Sequence, residues 1–455
     1  MLAGTRPVRM DGVRYETQHA PGEERQRMPS AKAVSTTHVT GPASARRTTG
    51  AVARVAARVR LFLVTYWVPL VVFAASRLVD TVFLVMAAHD QVALTRTRID
   101  YYVYDAEPAD PGYFGIVSNW DAQWYRRIAT DGYELPAPGG SAADTRNTLW
   151  TWAFPPAYPM IVRALMGVTT LSFPVAATIV SCLAGAAAAV LIYRLVVRTG
   201  GRYLATITVL FSSFFISAPL LQIGYSESLA LLFLMAALNL LVDRRYWWAA
   251  VAVLALSFTR IVTLPLLLAV AVHAYLRWRA EGAFWAGRLK EALGLFTVAF
   301  VSVFGLVSWM LLASVFIGTK AGMERSAGQR SLYLGWFEDS FHLFGVLGPV
   351  FLLLFLALVT LNMVGRRGRV WAPELRAWSV AYPAFLFAMT PILPAVLRYL
   401  LLVPTLPVLL AGTPRTASKR SIIWVGLLLV ALLIGQWWYA HNIVVVFTSE
   451  ARPAP

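Results

Sequence analysis

The sequence predicts an all-α protein that crosses a membrane many times, and three observations predict it. The 455 residues are 58% hydrophobic and only 14% charged, far from the balance of a soluble domain. Apolar runs of about 18 residues or more, enough to cross a bilayer, recur along the chain. The basic residues, which dominate a net charge of +17, cluster in short segments between those runs, as cytoplasmic loops require. That placement argues against a nucleic-acid partner and for membrane lipids.

Residues 1–55 are polar, rich in Pro, Ser, Thr and Arg, and read as a disordered basic cytoplasmic tail. The first apolar run begins too far from Met1 for a secretory signal and reads as an uncleaved anchor. Spans are expected at 61–86, 172–197, 203–222, 226–242, 246–260, 261–276, 291–317, 343–364, 377–393, 396–412 and 421–446, about eleven in a membrane domain of 56–446. The pair 246–260 and 261–276 is short for two spans, and Pro265 suits a broken helix. Residues 447–455 form a short tail. With the N-terminus inside, the loops carrying Arg198 and Arg202, Asp243-Arg244-Arg245, Arg277 to Lys290, Arg366 to Arg376 and Thr413 to Arg420 all fall in the cytoplasm. Two long segments then lie outside, 87–157 and roughly 318–342.

The first outer segment holds Ser118-Asn-Trp-Asp-Ala-Gln-Trp-Tyr-Arg-Arg-Ile-Ala-Thr-Asp-Gly-Tyr133. On a helical wheel Asp121, Trp124, Tyr125 and Ile128 share a face, with Gln123, Arg126 and Arg127 pointing away. Such a helix suits the membrane interface. A carboxylate on its apolar face is costly unless it caps the helix, pairs with Arg126 or Arg127, or does chemistry. The chemical role is the one we take forward for Asp121.

Ala153-Phe-Pro-Pro-Ala-Tyr-Pro159 closes the segment, and its prolines stiffen a chain returning to the membrane, with Pro155 and Tyr158 shaping the site. Ser226-Glu227-Ser228 suits a helix start, with Ser226 as cap and Glu227 in the first turn, and equally suits substrate binding. Arg260 and Arg398 fall at the outer ends of spans, as snorkelling residues or as clamps for a lipid phosphate. Arg77 and Asp80, three apart in the first span, suit a structural pair. The scattered His89, His273, His342 and His441 show no metal-ligand spacing, so no histidine metal site is expected. Acids such as Asp105, Glu107 and Asp110 are the groups that a metal would use, though nothing in their spacing calls for one. No Walker-type glycine loop or GxSxG element is present.

Asp121, Glu227, Arg260 and Arg398 thus come from four parts of the chain to one expected surface. An acid among arginines there suits group transfer from a lipid-linked phosphate, the acid taking a proton and the arginines holding the leaving charge.

The run Trp120-Asp121-Ala122-Gln123-Trp124-Tyr125, continuing Ile128-Ala-Thr-Asp-Gly-Tyr133, resembles the WDxxxF…IAxxGY signature of the PIG-V mannosyltransferases. Phe154-Pro155-x-x-Tyr158-Pro159, Ser226-Glu227-Ser228 and Thr259-Arg260 follow in that family's order. The resemblance covers about 61–280, and Trp124 stands where family members often carry His. It implies a GT-C-type glycosyltransferase with a large first extracytoplasmic loop and a polyprenyl- or dolichyl-phosphate mannose donor. Mannose would pass with inversion to an extracytoplasmic lipid, glycan or protein acceptor. Asp121 would be the base or acceptor-positioning residue, with Trp120, Trp124, Tyr125, Glu227, Arg260 and Arg398 around the substrates; the lipid-phosphate sugar is the donor substrate, and the residues leave metal dependence open. A transferase using an arabinose or glucose lipid phosphate, a transporter of lipid-linked sugars and a non-catalytic scaffold are the competing readings.

Overall fold

A computed structural model describes residues 43–95, 103–140, 142–282, 288–318, 333–392 and 394–446. The described residues are helical, with one isolated β-bridge between Leu94 and Glu107. The chain divides into Met1–Arg60 and Leu61–Pro455. Of the expected tail, 1–42 lie outside the described residues, and 43–55 are helical, the beginning of α1 (Ala43–Ala88). The C-terminal tail 447–455 also lies outside them.

Within Leu61–Pro455, α1 leads to a segment that carries three helices: α2 (Gly112–Ile116), α3 (Asp121–Asp131) and α4 (Ala142–Thr151). Then come α5 (Ala157–Thr169) and α6 (Phe173–Ser213). Next are α7 (Glu227–Val242), α8 (Tyr246–Ser257), α9 (Leu266–Glu281), α10 (Leu289–Phe304) and α11 (Ser308–Ile317). The chain closes with α12 (Leu334–Phe344), α13 (Leu347–Val364), α14 (Pro373–Met389), α15 (Ala395–Tyr399), α16 (Leu406–Leu410) and α17 (Lys419–Tyr439).

Among the described residues four helices are long and apolar enough to cross a membrane: Ala56–Ala88, Phe173–Ser213, Leu347–Val364 and Lys419–Val444. The pair α10 and α11, bent by 49°, makes a fifth if it is one span. Their outward faces carry exposed Leu, Val and Phe, including Leu78, Leu361, Ile434 and Phe296. Contiguous apolar surface on that scale needs a lipid environment. The protein is an all-α membrane protein.

The structure differs from the sequence expectation in places that matter. The segments expected at 172–197 and 203–222 are two helical arms of α6 that meet at Gly201, where φ is +80°, a value that glycine adopts without steric cost. Its second half stops at Ser213, and the chain continues as a broken segment with one 3₁₀ turn, Ala218–Leu221. The span expected at 396–412 is α15, a 3₁₀ turn and α16, not one helix. Residues 157–169, read as part of a loop closing into the next span, form the separate helix α5. The suggested break before Pro265 is present, with α8 ending at Ser257 and α9 starting at Leu266. Of the expected outer segment 318–342, residues 319–332 lie outside the described residues and 334–342 belong to α12.

Glu227, at the start of α7, meets Arg260, just after α8. Arg277, near the end of α9, meets Tyr246 at the start of α8 and Glu291 at the start of α10. Helices α7 to α10 therefore run alternately between two ends, with the acid–arginine cluster at one and the basic turns at the other.

Candidate active site

The chain reaches Asp121 through a strained turn. Trp120 has φ +53°, uncommon for any residue but glycine. Neighbouring bonds fix it: Trp120 Nε1 donates to Val444 O at 3.0 Å, and Asn119 Nδ2 donates to Gln91 Oε1 at 2.7 Å and Val444 O at 3.1 Å. Asp121 is consequently the first residue of α3. Its Oδ2 accepts from Arg398 Nη1 at 2.7 Å.

Glu227 is placed from the other side. Arg77, ion-paired to Asp80 at 2.8 Å, donates to Ser213 O and Ala218 O and so satisfies carbonyls left open where α6 ends. Tyr158 and Ser181 bond each other at 3.0 Å, and Ser181 donates to Ile223 O. Ser228 donates back to Leu221 O. Gly224 then passes so close to α3 that a Cβ would lie 2.7 Å from Val117 O and 3.0 Å from Ala122 Cβ. Only glycine allows this approach, which brings the start of α7 beside Asp121.

At that meeting point Glu227 is 1% exposed. Its Oε1 accepts from Arg260 Nη1 and lies 3.1 Å from Arg398 Nε. Arg260 stacks on the Tyr399 ring at 5.0 Å; Arg398 lies 5.0 Å from Tyr399 and 5.3 Å from Tyr225. Rings of this kind hold guanidinium groups flat and shielded. Tyr125 donates to Ser226 Oγ at 2.9 Å. Ser226 thus takes a bond from α3 and makes no side-chain cap to α7.

Beside the cluster is a cavity of about 430 Å³. Asp121, Tyr125, Arg260 and Arg398 give it a polar end. Leu306, Val307 and Met310, at the α10–α11 break, and Phe385, Leu386 and Met389 of α14 give it an apolar wall. Phe154 and Pro155 cover it, docked by Ala157 N to Phe258 O at 2.7 Å. A pocket that is charged at one end and greasy at the other fits an amphiphile.

Sequence reasoning thus brought together Asp121, Glu227, Arg260 and Arg398, which meet here. Three residues expected around the substrates do not line the cavity. Trp120 fixes the turn before Asp121. Trp124 stacks on Phe154 at 6.1 Å and lies 6.3 Å from Trp150. Glu227 lies beneath the arginines. The expectation that Gln123 and Arg126 face outward also fails. Gln123 is fully buried, accepting from Tyr104 N at 2.8 Å, and Arg126 bonds Glu107 at 2.9 Å and Asp105 at 2.5 Å. The segment 103–107 covers that face of α3, so the helix is enclosed and does not lie free at an interface. Burial pushes the Glu107 carboxyl above its ordinary range, against the lowering effect of Arg126. Asp105 and Glu107 thus share Arg126, and Asp110 pairs with His89 at 2.9 Å.

The sequence reading gave no role of their own to Tyr225, Tyr382 and Tyr399. Tyr382 lines the cavity, and its buried hydroxyl has no hydrogen-bond partner among the described residues. Tyr225 and Tyr399 directly precede or follow flagged residues, a weak signal in a chain with 18 tyrosines. Compared with models of known protein families and with curated proteins, the chain matches none.

Proposed function

We propose that this protein is an integral-membrane glycosyltransferase of the GT-C type, with about eleven spans, moving a sugar from a polyprenyl-phosphate donor to an extracytoplasmic acceptor. The observation that carries this reading is the amphiphilic cavity with Asp121, Arg260 and Arg398 at its charged end. Mannose is the sugar that the PIG-V-like residues favour, and the acceptor is a lipid, glycan or protein hydroxyl. The N-terminus is cytoplasmic and the cavity extracytoplasmic, which keeps the basic turns inside.

The roles follow from the contacts. The polyprenyl chain lies along Leu306, Met310, Phe385 and Met389, with its phosphate at Arg260 and Arg398. The acceptor oxygen attacks the anomeric carbon from the face opposite the phosphate, and the bond from that carbon to the phosphate oxygen breaks with inversion. The acceptor proton passes to Asp121, and the leaving lipid phosphate takes the electron pair. Resting Asp121 holds Arg398 at 2.7 Å. As its carboxylate takes the proton it weakens that hold just as the phosphate gains negative charge, so Arg398 shifts its interaction from one anion to the other. Buried Glu227 keeps both arginines in register throughout.

The test is transfer of radiolabelled mannose from polyprenyl-phosphate mannose by purified protein, wild type against Asp121→Asn. We expect the variant to lose about 10²- to 10⁴-fold, the usual worth of a general base. Equal turnover would remove Asp121 from the chemistry. Flux of the lipid across liposomes without any transfer would make the protein a transporter.

A further inference from the structure

We infer a second binding site, for the phosphate of an anionic membrane-lipid headgroup, at the opposite end of the α7–α8 hairpin from the Asp121 cavity. Helix α7 has 16 residues, so at 1.5 Å per residue the two sites are about 24 Å apart. A cavity of about 400 Å³ opens there, between the α7–α8 turn and the first turn of α10.

Three cations line it, Arg244, Arg245 and Lys290, against one carboxylate, Glu291. Glu291 is already engaged: it accepts from Arg277, itself 4% exposed, at 2.8 Å. Arg244 is also committed, to Glu281 at 2.8 Å. Arg245 and Lys290 have no ion-pair partner among the described residues, which leaves two uncompensated cations over one wall. The floor is rigid, because Tyr246 Oη accepts from Arg277 at 2.7 Å and bonds His273 at 3.1 Å, while His273 bonds Glu374 at 2.7 Å. Helices α8 and α10 begin side by side here, with Gly294 packed so tightly on Tyr246 that a Cβ would come within 2.9 Å of it. The positive ends of both add to the cationic field.

The surroundings point to a lipid as the source of the phosphate. Trp247 and Trp248 at the rim are 52% and 65% exposed, an arrangement suited to the bilayer interface. One turn further on, exposed Val251 and Leu293 begin an apolar surface that continues through Phe296 and Phe300. A headgroup phosphate at Arg245 and Lys290 would thus hang its acyl chains along α8 and α10.

The test uses full-length protein in detergent, with lipid retention read by native mass spectrometry. Phosphatidylglycerol is the anionic probe and phosphatidylcholine the zwitterionic control; neither reading depends on transfer activity. We expect one phosphatidylglycerol to be retained in preference to phosphatidylcholine and to resist excess inorganic phosphate. Arg245→Gln with Lys290→Gln should weaken that retention by about tenfold or more, through loss of two charge-assisted bonds. Arg245→Lys with Lys290→Arg should restore it, which separates charge from folding. Unchanged retention in the double Gln variant would overturn the site. Displacement by inorganic phosphate would overturn the assignment to lipid.

Discussion

Glu227→Gln is the change that tests how the cluster is held together. Wild-type Glu227 is the counter-ion that Arg260 and Arg398 share, and the side chains of the three are 1%, 15% and 7% exposed. Arg398 keeps Asp121 when the charge on Glu227 is removed, so Arg260 is the cation left without a partner. Stranding one member of a buried pair costs about 3–5 kcal/mol. Gln still accepts a hydrogen bond and Arg260 borders the cavity, which places the loss near the lower figure, about 3 kcal/mol. That is roughly a hundredfold in the ratio of folded to unfolded protein. Equilibrium unfolding in mixed micelles, followed by tryptophan fluorescence, reads it. Adding Arg260→Gln removes the stranded charge, and the double variant should recover about 1–2 kcal/mol relative to Glu227→Gln alone. If the single variant unfolds like wild type, or the double is no better than the single, Glu227 is not what holds the arginines.

Other outcomes follow from the same contacts. Tyr382→Phe removes a buried hydroxyl that lacks a partner among the described residues, so the ligand-free protein should be as stable as wild type or slightly more so, while donor KM rises by about tenfold if the phenol bonds the ligand. Gly305→Ala should destabilise the protein, because a Cβ there would meet Thr263 Oγ1 and Val301 O at 2.7 Å; a thermal melt checks it. Glu281 is held below its ordinary value of 4.5, first by the bond from Arg277 and then by Arg244 and Arg288. Its stabilisation is therefore present above pH 4.5 and lost as pH falls through the lowered value, and Glu281→Gln should flatten the acid limb of a stability–pH curve. A cysteine replacing exposed Gly140 should react with an impermeant reagent from outside the cell, and one replacing Arg279 should not, if the proposed orientation is right.

How much of this was legible depends on which physical signal each feature leaves. Long apolar runs announce themselves by length, so α1, α6, α13 and α17 stand close to their expected places. The 396–412 run has the same hydropathy signal but becomes α15, a 3₁₀ turn and α16. Pro404 and Pro407 interrupt it, and an apolar composition does not report continuity. At 198–202 the basic stretch marks the place where the chain turns, at Gly201, with helix on both sides. The site acids and arginines were legible because a charge set in or beside an apolar run is costly and stands out. Their division of labour was not, since Glu227 and Asp121 read alike in sequence and differ only in what buries them. The tyrosines were lost among many, their role arising from contact with residues far away in the chain.

That difference in burial is the strongest argument about how the site works. The cluster at rest holds two carboxylates and two guanidiniums, a neutral set, which by itself offers an anion little net attraction. The neutrality is unevenly distributed, however. Glu227 is sealed beneath the arginines, whereas the Asp121 side chain is 25% exposed and lines the cavity. Only the Asp121 charge is open to change by something in the cavity. Protonation of Asp121 turns the set into a net cation facing the ligand, while Glu227 prevents the arginines from drifting apart. Under the proposed function, a site built this way would bind a lipid phosphate weakly before proton transfer and strongly during it, which is the difference that accelerates a reaction. Asp121→Asn is the direct check, because it fixes the site in its cationic state. The variant should bind the lipid-phosphate product more tightly than wild type while failing to transfer. Weaker product binding by Asp121→Asn would show that the carboxylate orients Arg398 and does not compete for it.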